Sequence, residues 1–345
     1  MAGSSTKKNE NCKEDTIRIS GISKRFGKVQ ALDNINLVVE PNSVFALLGP
    51  NGSGKTTLVR ILTTLLRADS GSAQVGGYDV VAMSQKVRSA LGLAGQYPAV
   101  DDSLSGRENL EIIGQLYHLG SRQSKTRASE LLEQFGLADS ANLRAKFYSG
   151  GMRRRLDLAA TLIAKPLILF LDEPTTGLDP RSRLALWDVI AGQAKDCNTV
   201  FLTTQYLEEA DRLAHKIAII DEGKIIREGT PGELKSCCGG ESKIKLTLFD
   251  RSKMQLAIDK LTELAPGKIQ STPDMGEISL PAEAGSSMVS EVVRRMDSAG
   301  IILADLSLKQ PTLDDVFLAI TGHTTEQVDS VGQPLSTSGS EAMKC

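Results

Sequence analysis

The segment GPNGSGKTT at positions 49–57 constrains the fold of this chain more than any other stretch of its 345 residues. It fits the pattern G-x-x-x-x-G-K-[ST] in full, and it joins an apolar run (43–49) to a helix-forming run (55–66). Its glycines let backbone N–H groups approach phosphate oxygens, and the positive end of the helix points to the same place. A chance glycine-rich turn is the alternative, which the flanking strand and helix disfavour. The segment therefore predicts a phosphate-binding loop.

A second apolar run, LILFLDE (167–173), ends in two acids. We expect Lys55 to reach the β- and γ-phosphates of a nucleotide, and Thr56 and Asp172 to ligate Mg²⁺. Glu173 lies one residue further, where it can polarise a water for attack on the γ-phosphate. An acidic pair at a strand end can also cap a helix. Because it follows a phosphate loop here, we favour the catalytic interpretation.

Apolar runs alternate with helical patterns along the first two thirds of the chain. Runs 43–49, 167–173 and 199–205 are apolar without interruption over most of their length, which is typical of parallel strands covered on both faces. Residues 16–27 alternate like a half-buried strand, and IAIIDEGKIIREG (217–229) indicates a hairpin. The predicted fold class is therefore α/β.

The segment YSGGMRRRLDLAA (148–160) precedes the run that ends in the two acids. Ser149 is a good helix N-cap, and two glycines directly after it need a reason other than helix propensity. Serine and free N–H groups at a positive helix end make a second phosphate-binding surface. Nothing in the sequence suggests that this surface folds onto Lys55 of the same chain. We expect Arg153–Arg155 to face solvent or acidic neighbours.

With three further segments, these patterns resemble the nucleotide-binding subunit of an ABC transporter over residues 17 to about 230. SGGM corresponds to the family signature, which usually ends in glutamine, and GLDP (177–180) resembles the D-loop. Gln96, within LAGQYPAVDDSLSGRENL (93–110), lies at the position of the Q-loop glutamine, and Phe26 at that of an aromatic residue that stacks on adenine. The resemblance implies a P-loop NTPase ABC cassette: a parallel-sheet core, an antiparallel N-terminal β part and a helical signature subdomain.

The resemblance also implies a set of site residues. Those expected to bind ATP are Phe26, Gly49, Pro50, Asn51, Gly52, Ser53, Gly54, Lys55, Thr56, Thr57, Gln96 and Asp172. Those expected to hold Mg²⁺ are Thr56, Gln96 and Asp172, and those expected to act in catalysis are Glu173, Gln205 and Lys55. The signature residues expected to contact the ATP of the opposite subunit are Ser149, Gly150, Gly151 and Met152, with Asp179 in the D-loop. ATP and Mg²⁺ are thus the implied cofactors, and a homodimer that sandwiches ATP is the implied assembly.

Gln205 departs from the family pattern, in which the residue at this strand end is most often histidine. Glutamine can donate to a phosphate oxygen or orient water, but it cannot become a cation near neutral pH. The turnover rate is therefore an open question, whereas nucleotide binding is not. Two alternatives remain: Gln205 only fixes the turn, or the chain is an ATP-binding regulatory or soluble ABC ATPase with little hydrolysis.

Resemblance to the ATPase subunits of daunorubicin-resistance-type exporters is carried by residues 148–160, 203–211 and 311–322. It implies export of a hydrophobic drug, lipid or related compound at the cytoplasmic face of the cell membrane, through a separate permease docked near residues 97–110. The formal charge of −2 and the 4% of aromatic residues argue against nucleic-acid binding. No run reaches the roughly 18–20 apolar residues that a transmembrane helix needs.

Beyond residue 242 the pattern changes to short strands and helices in the order β-α-β-β-α-β, which favours a small ferredoxin-like domain. The predicted organisation is a disordered N-terminus (1–16), an ABC nucleotide-binding domain (17–235), a ferredoxin-like accessory domain (243–322) and a disordered tail (323–345).

Overall fold

The computed structural model describes residues 16–96, 99–195, 198–237, 242–265, 269–282, 286–309 and 312–321. The two segments for which the sequence predicts disorder, 1–16 and 323–345, lie outside these ranges except for residue 16. The chain divides into two units, the first ending at Pro231 and the second beginning at Gly232. This division falls a few residues before the boundary that the sequence predicts.

Two sheets form the first unit. Their strands are β1 (Ile17–Phe26), β2 (Val29–Val39), β3 (Val44–Leu48), β4 (Ser70–Val75), β5 (Tyr78–Asp79), β6 (Leu91–Ala94), β7 (Ile168–Asp172), β8 (Thr199–Thr204), β9 (Lys216–Asp221) and β10 (Lys224–Gly229). The larger sheet has the order β10-β9-β3-β8-β7-β6; β10 is antiparallel to β9, and all other pairs are parallel. The smaller sheet, β2-β1-β4-β5, is antiparallel. The predicted α/β class is confirmed.

The sequence pattern of the central strands explains their position. Every residue of β3, β7 and β8 is buried, as expected for uninterrupted apolar strands with both faces covered. The predicted hairpin is formed by β9 and β10, with Lys224 opposite Asp221. Since β3, β7 and β8 are parallel neighbours, their carboxyl ends meet at one edge of the sheet.

Helices complete the first unit: α1 (Lys55–Leu62), α2 (Ser84–Ala90), α3 (Gly106–Leu116), α4 (Ser121–Gln134), α5 (Gly150–Thr161), α6 (Pro180–Lys195) and α7 (Leu207–Leu213), with α8 (Pro231–Cys237) at the division. Leu110 of α3, Leu131 of α4 and Leu156 of α5 belong to one buried apolar cluster. Trp187 of α6 lies in the same cluster and is 1% exposed, so its predicted core position is confirmed.

Helix α1 is shorter than the sequence suggests, since the apolar pattern continues to Leu66. Thr64 has a φ of +66°, and the N–H groups of Leu65 and Leu66 both donate to the Arg60 carbonyl oxygen. This left-handed residue closes the helix end, and it turns Leu65 outward so that its side chain is 65% exposed.

The second unit has its own sheet and core. Its elements are β11 (Lys243–Leu248), α9 (Met254–Thr262), β12 (Gln270–Thr272), β13 (Glu277–Pro281), α10 (Ser286–Ser298), β14 (Leu303–Lys309) and α11 (Leu313–Thr321). The sheet is antiparallel with the order β12-β13-β11-β14. The order of elements is the predicted β-α-β-β-α-β, while classification as ferredoxin-like stays a prediction. Within the described ranges, no helix has the length and apolarity to cross a membrane.

Candidate active site

The phosphate loop follows β3 and requires glycine at two positions. A Cβ on Gly49 would lie 2.2 Å from the Ile220 carbonyl oxygen. Gly54 has a φ of +105°, and a Cβ there would lie 2.5 Å from the Ala31 carbonyl oxygen. Both neighbours are backbone atoms, which cannot move aside as a flexible side chain could. A residue with a side chain therefore does not fit at either position.

Lys55, the first residue of α1, is buried at the centre of this loop. Its Nζ donates to the carbonyl oxygens of Gly49 (2.8 Å) and Pro50 (2.9 Å), and it lies 3.3 Å from Glu173 Oε1. Burial lowers the pKa of the Lys55 ammonium, and the nearby carboxylates of Glu173 and Asp172 offset part of this effect. A desolvated cation faces the loop, so an entering phosphate group competes with Glu173 for the ammonium.

Oxygen-bearing side chains converge at the end of β7. The Thr56 hydroxyl lies 3.3 Å from Asp172 Oδ1 and also 3.3 Å from Gln96 Nε2. Hydroxyl, carboxylate and amide oxygens are hard ligands, and Mg²⁺ binds through one or two such protein groups together with substrate phosphates. The residues present therefore fit a magnesium ion, provided that the Gln96 amide presents its oxygen.

Thr203, a residue that the sequence analysis did not assign to the site, supports both acids. Its hydroxyl donates to Asp172 Oδ1 (2.6 Å) and accepts from the Glu173 N–H (3.2 Å), whose other acceptor is the Thr203 carbonyl (3.1 Å). Thr203 is the register partner of Asp172 in the parallel pair β7–β8. The feature of the sequence that could have identified Thr203 is its position among the polar residues that end an apolar strand.

Glu173 has a backbone conformation that is rare for a residue with a side chain. Its φ is +50°, and its side chain is 11% exposed. Such left-handed backbone costs on the order of 1–3 kcal/mol and persists where surrounding bonds hold it, as the contacts to Thr203 do here. The turn directs the Glu173 carboxylate back toward Lys55, at the edge where the phosphate loop begins.

Gln205 follows β8 at the same edge, between the phosphate loop after β3 and the acids after β7. Its side chain is half-buried, and no described residue forms a hydrogen bond with it. Glu209, in the first turn of α7, is fully buried and accepts from Trp187 Nε1 at 2.9 Å. Burial raises the pKa of the Glu209 carboxyl, which hydrogen-bond donors around it partly offset.

The signature residues lie at the start of α5. Ser149 caps this helix, because its Oγ accepts from the Met152 N–H at 3.2 Å. Gly151 packs on α6, since a Cβ there would lie 2.4 Å from Ser182 Oγ. Among the described residues, no hydrogen bond joins Ser149, Gly150 or Gly151 to the phosphate loop of the same chain.

The two remaining candidates lie outside this cluster. Phe26, at the end of β1, is 49% exposed, with Lys24 Nζ 5.6 Å from the centre of its ring. Asp179 is exposed and accepts from the Ser182 N–H at 3.0 Å at the start of α6. Hydrogen bonds from Ser182 hold the pKa of the Asp179 carboxyl below its usual range. The structure thus gives Asp179 a capping role.

Of the two environments predicted for the arginines of α5, solvent or acidic neighbours, Arg154 has the second: it is paired with Asp157 inside the protein. This residue is 8% exposed, and its guanidinium donates to the carbonyl oxygens of Gly95 (2.7 Å) and Pro174 (2.8 Å). Burial lowers the pKa of Arg154 and raises that of Asp157, its partner at 3.2 Å. Arg154 and Asp157 are three positions apart, so they lie on the same side of α5. Opposite charges at this spacing, with apolar residues on both sides of Asp157, are the feature of the sequence that indicates an internal pair.

A cavity of about 400 Å³ lies between the start of α5 and Glu173. Its lining residues are Gln96, Gly150, Arg153, Arg154, Glu173, Thr176, Gly177 and Leu178. Glu173 and Gln96 therefore border the same space as the helix that carries the signature.

A phosphate loop after β3, an acidic pair after β7 and a capped glycine helix before it define a P-loop ATPase of the ATP-binding-cassette class. The ABC transporter family model matches residues 32–176. The chain is 46% identical over 314 residues to the daunorubicin resistance ATP-binding protein DrrA2 of Streptomyces coeruleorubidus, covering 91% of this chain and 97% of that protein.

Two further similarities agree with this class. The doxorubicin resistance ATP-binding protein DrrA of Mycobacterium tuberculosis is 47% identical, over 90% of this chain and 95% of that protein. A solved dimeric post-hydrolysis state of an ATP-binding cassette bound to ADP and Pi matches with a TM-score of 0.57 at 24% identity, covering 62% of this chain and 98% of that one. The chain belongs to the ATP-binding protein family of ABC transporters, and it is an ABC-type ATPase.

Proposed function

We propose that this chain is the ATP-hydrolysing subunit of an ABC exporter. In this proposal, Mg-ATP-driven dimerisation and hydrolysis are coupled to export of a hydrophobic drug, lipid or related compound through a separate membrane permease. The observation that carries the hydrolytic part is the Glu173 carboxylate, held 3.3 Å from the phosphate-loop lysine by a turn next to Asp172. The names of the two resistance proteins described above support the direction of transport.

Each residue has a role that its position supports. Lys55 and the backbone N–H groups of the loop neutralise the β- and γ-phosphates, and Glu173 orients and deprotonates the attacking water. Thr56, Gln96 and Asp172 would hold Mg²⁺, which when bound supplies charge neutralisation at the phosphates.

The position of the signature supports a homodimeric assembly. Ser149 and the glycines after it lie at the positive end of α5 and form no hydrogen bond with their own phosphate loop in the described part of the chain. In a homodimer, they contact the γ-phosphate bound by the partner. The dimer of the solved cassette with ADP and Pi supports the same arrangement here.

The membrane contact is proposed near residues 97–110, at the cytoplasmic face of the membrane. The adjoining helix α3 starts with a capping box in which Ser105 and Glu108 bind each other's backbone N–H groups. On one side of α3, Ile112 is 43% exposed and Leu116 is 73% exposed. A firmly capped helix with an open apolar side is a suitable surface for a permease segment.

The test is steady-state ATP hydrolysis by the purified chain with Mg²⁺, with and without the co-expressed permease. Glu173→Gln is expected to lower kcat by at least about 100-fold, because general base catalysis contributes roughly 10²–10⁴. The same variant should bind ATP normally and accumulate as an ATP-bound dimer in size-exclusion chromatography. Glu208→Gln, an exposed acid on α7, is the matched control and should keep the wild-type rate.

Gln205→His distinguishes the two functional alternatives. If the wild type hydrolyses ATP and Glu173→Gln does not, Gln205 is a competent residue at the γ-phosphate and the exporter subunit hypothesis stands. If only Gln205→His turns over, with or without the permease, the chain is an ATP-binding regulatory subunit and the hydrolytic part of the proposal is wrong. Rapid turnover by Glu173→Gln would remove Glu173 as the base.

A further inference from the structure

Arg154 of α5 binds the two loops that carry the reacting side chains. Its Nη1 donates to the carbonyl oxygen of Gly95, the residue before Gln96, at 2.7 Å. Its Nε donates to the Pro174 carbonyl at 2.8 Å, and its Nη2 reaches the carbonyls of Asp172 (3.4 Å) and Glu173 (3.5 Å). One guanidinium therefore spans the loop after β6 and the turn after β7.

Asp157, one turn further along α5, completes the arrangement from the other side. Its Oδ1 accepts from the Ala99 N–H at 2.8 Å, and its Oδ2 lies 3.2 Å from Arg154 Nη1. Asp157 is 2% exposed. The loop containing Gln96 is thus bound by α5 at Gly95 and again at Ala99, through two opposite charges that compensate each other away from water.

We infer that Arg154 and Asp157 are positioning residues that make α5, the loop of Gln96 and the turn of Glu173 move as one body. This inference rests on the proposed function, in which the start of α5 contacts the partner's γ-phosphate. Displacement of α5 on ATP binding by the partner then displaces Gln96 and Glu173 in the subunit that carries them. The pair transmits the state of one nucleotide site to the water-activating group of the other.

The geometry of the guanidinium distinguishes this role from simple core filling. The fork of donors on arginine reaches carbonyls on both loops at once, while a lysine ammonium is a point donor and can satisfy one of them. Arg155, the next residue, provides the comparison. Its Nη1 donates to the Phe135 carbonyl at 2.9 Å and its Nε to the Gly151 carbonyl at 3.4 Å, neither of which belongs to the loops of Gln96 and Glu173.

The experiment compares Arg154→Lys with Arg155→Lys in the full-length chain. We expect Arg154→Lys to lower kcat by about 10- to 100-fold, the cost of misplacing a catalytic group by about 1 Å. The KM for ATP should change less than twofold, because the phosphate loop is untouched. Hydrogen exchange measured by mass spectrometry should be faster in peptides containing Ala99 and Glu173. Arg155→Lys should retain the wild-type kcat and the wild-type exchange in both peptides.

A double variant, Arg154→Met with Asp157→Leu, removes both charges together and keeps the interior apolar. It should melt within a few degrees of the wild type, and it should reproduce the loss of kcat and the faster exchange. Wild-type kcat and exchange in a folded Arg154→Lys or double variant would overturn the inference, and so would equal losses in Arg155→Lys. If the wild type itself hydrolyses no ATP, the proposed function fails, while the exchange comparison still decides whether the pair holds the two loops.

Discussion

At the level of single residues, Thr203 and Glu209 matter as much as the residues that the sequence marks. Both lie buried beside the strand end that carries Gln205, and both bind groups on other elements. Thr203 fixes Asp172 and Glu173, whereas Glu209 holds a carboxyl in a site where water does not reach it. Each role can be tested by substituting a side chain of nearly the same shape.

Thr203→Val removes the hydroxyl but keeps the volume. The donor to Asp172 at 2.6 Å and the acceptor for the Glu173 N–H are lost together. We expect hydrolysis or magnesium affinity to fall by about 10- to 100-fold, as for other groups that orient metal-binding carboxylates. Magnesium titration of the ATPase rate measures this. Thr204→Val is the control, because its hydroxyl accepts from the Tyr206 N–H instead, and an equal loss there would refute the assignment.

Glu209→Gln tests the raised pKa of this buried carboxyl. A group whose pKa is higher in the folded chain adds stability below its unfolded pKa and loses that contribution as pH rises through the folded pKa. The variant does not titrate, so its Tm should rise relative to the wild type between pH 5 and pH 8. The difference should be largest at the alkaline end of this range, where ionisation of the buried wild-type carboxyl destabilises the folded chain most.

The control for this change is Glu208→Gln, the exposed neighbour on α7. Its thermal melts should follow the wild-type dependence on pH. A Glu209→Gln variant whose Tm difference from the wild type stays constant or shrinks toward pH 8 would mean that the buried carboxyl is not the source of the effect.

At the level of elements, α5 combines three functions in twelve residues. Its N-terminal turn is capped by Ser149 and is proposed to contact a phosphate, its middle binds two loops through Arg154 and Asp157, and its apolar side packs in the core. The glycines of the N-terminal turn reduce the stability of the helix, because each glycine disfavours helix by about 1 kcal/mol relative to alanine.

Gly150→Ala makes this effect measurable. A Cβ at Gly150 meets no atom within 4 Å, so the variant should be about 0.4–1 kcal/mol more stable. In the Glu173→Gln background, its ATP-driven dimerisation should be at least tenfold weaker, since the methyl group stands at the proposed phosphate contact. Gly192→Ala in α6, also free of close neighbours, should gain similar stability and dimerise normally. Unchanged dimerisation of Gly150→Ala, measured by light scattering, would exclude the contact.

At the level of the whole molecule, the two units have separate cores. The apolar cluster of the second unit consists of residues from its own sheet and helices, including Leu246 of β11 and Val292 of α10. The described contacts of Lys55, Thr56 and Asp172 at the candidate nucleotide site are made within the first unit. We therefore expect a mutation in the core of the second unit to lower the stability of that unit without changing ATP binding.

Leu246→Ala and Leu47→Ala are matched substitutions of fully buried leucines in the two units. Each should cost about 2–5 kcal/mol through lost burial and the cavity left behind. In differential scanning calorimetry, Leu246→Ala should lower only the transition of the second unit and leave ATP affinity unchanged. Leu47→Ala in β3 should lower the other transition and weaken ATP binding. A single transition that shifts as a whole in both variants would contradict independent units.

The sequence by itself determined the class of fold and most of the candidate site. Glycine positions, a lysine and acids that end apolar strands are local consequences of what a phosphate loop needs, so Gly54, Lys55 and Glu173 could be proposed for the site from the sequence alone. The strands of the parallel sheet followed in the same way, because burial on both faces leaves an uninterrupted apolar pattern.

Only the tertiary structure decided which polar groups meet. Thr203 lies 31 positions from Asp172 in the chain, and the parallel register of β7 and β8 brings its hydroxyl within 2.6 Å of the carboxylate. Arg154 belongs to a run of three arginines that resembles a solvated face, and its contacts with Gly95 and Pro174 depend on how α5 packs against two loops. The sequence shows which side chains carry a charge, whereas the partner that compensates a charge inside the protein depends on packing between distant segments.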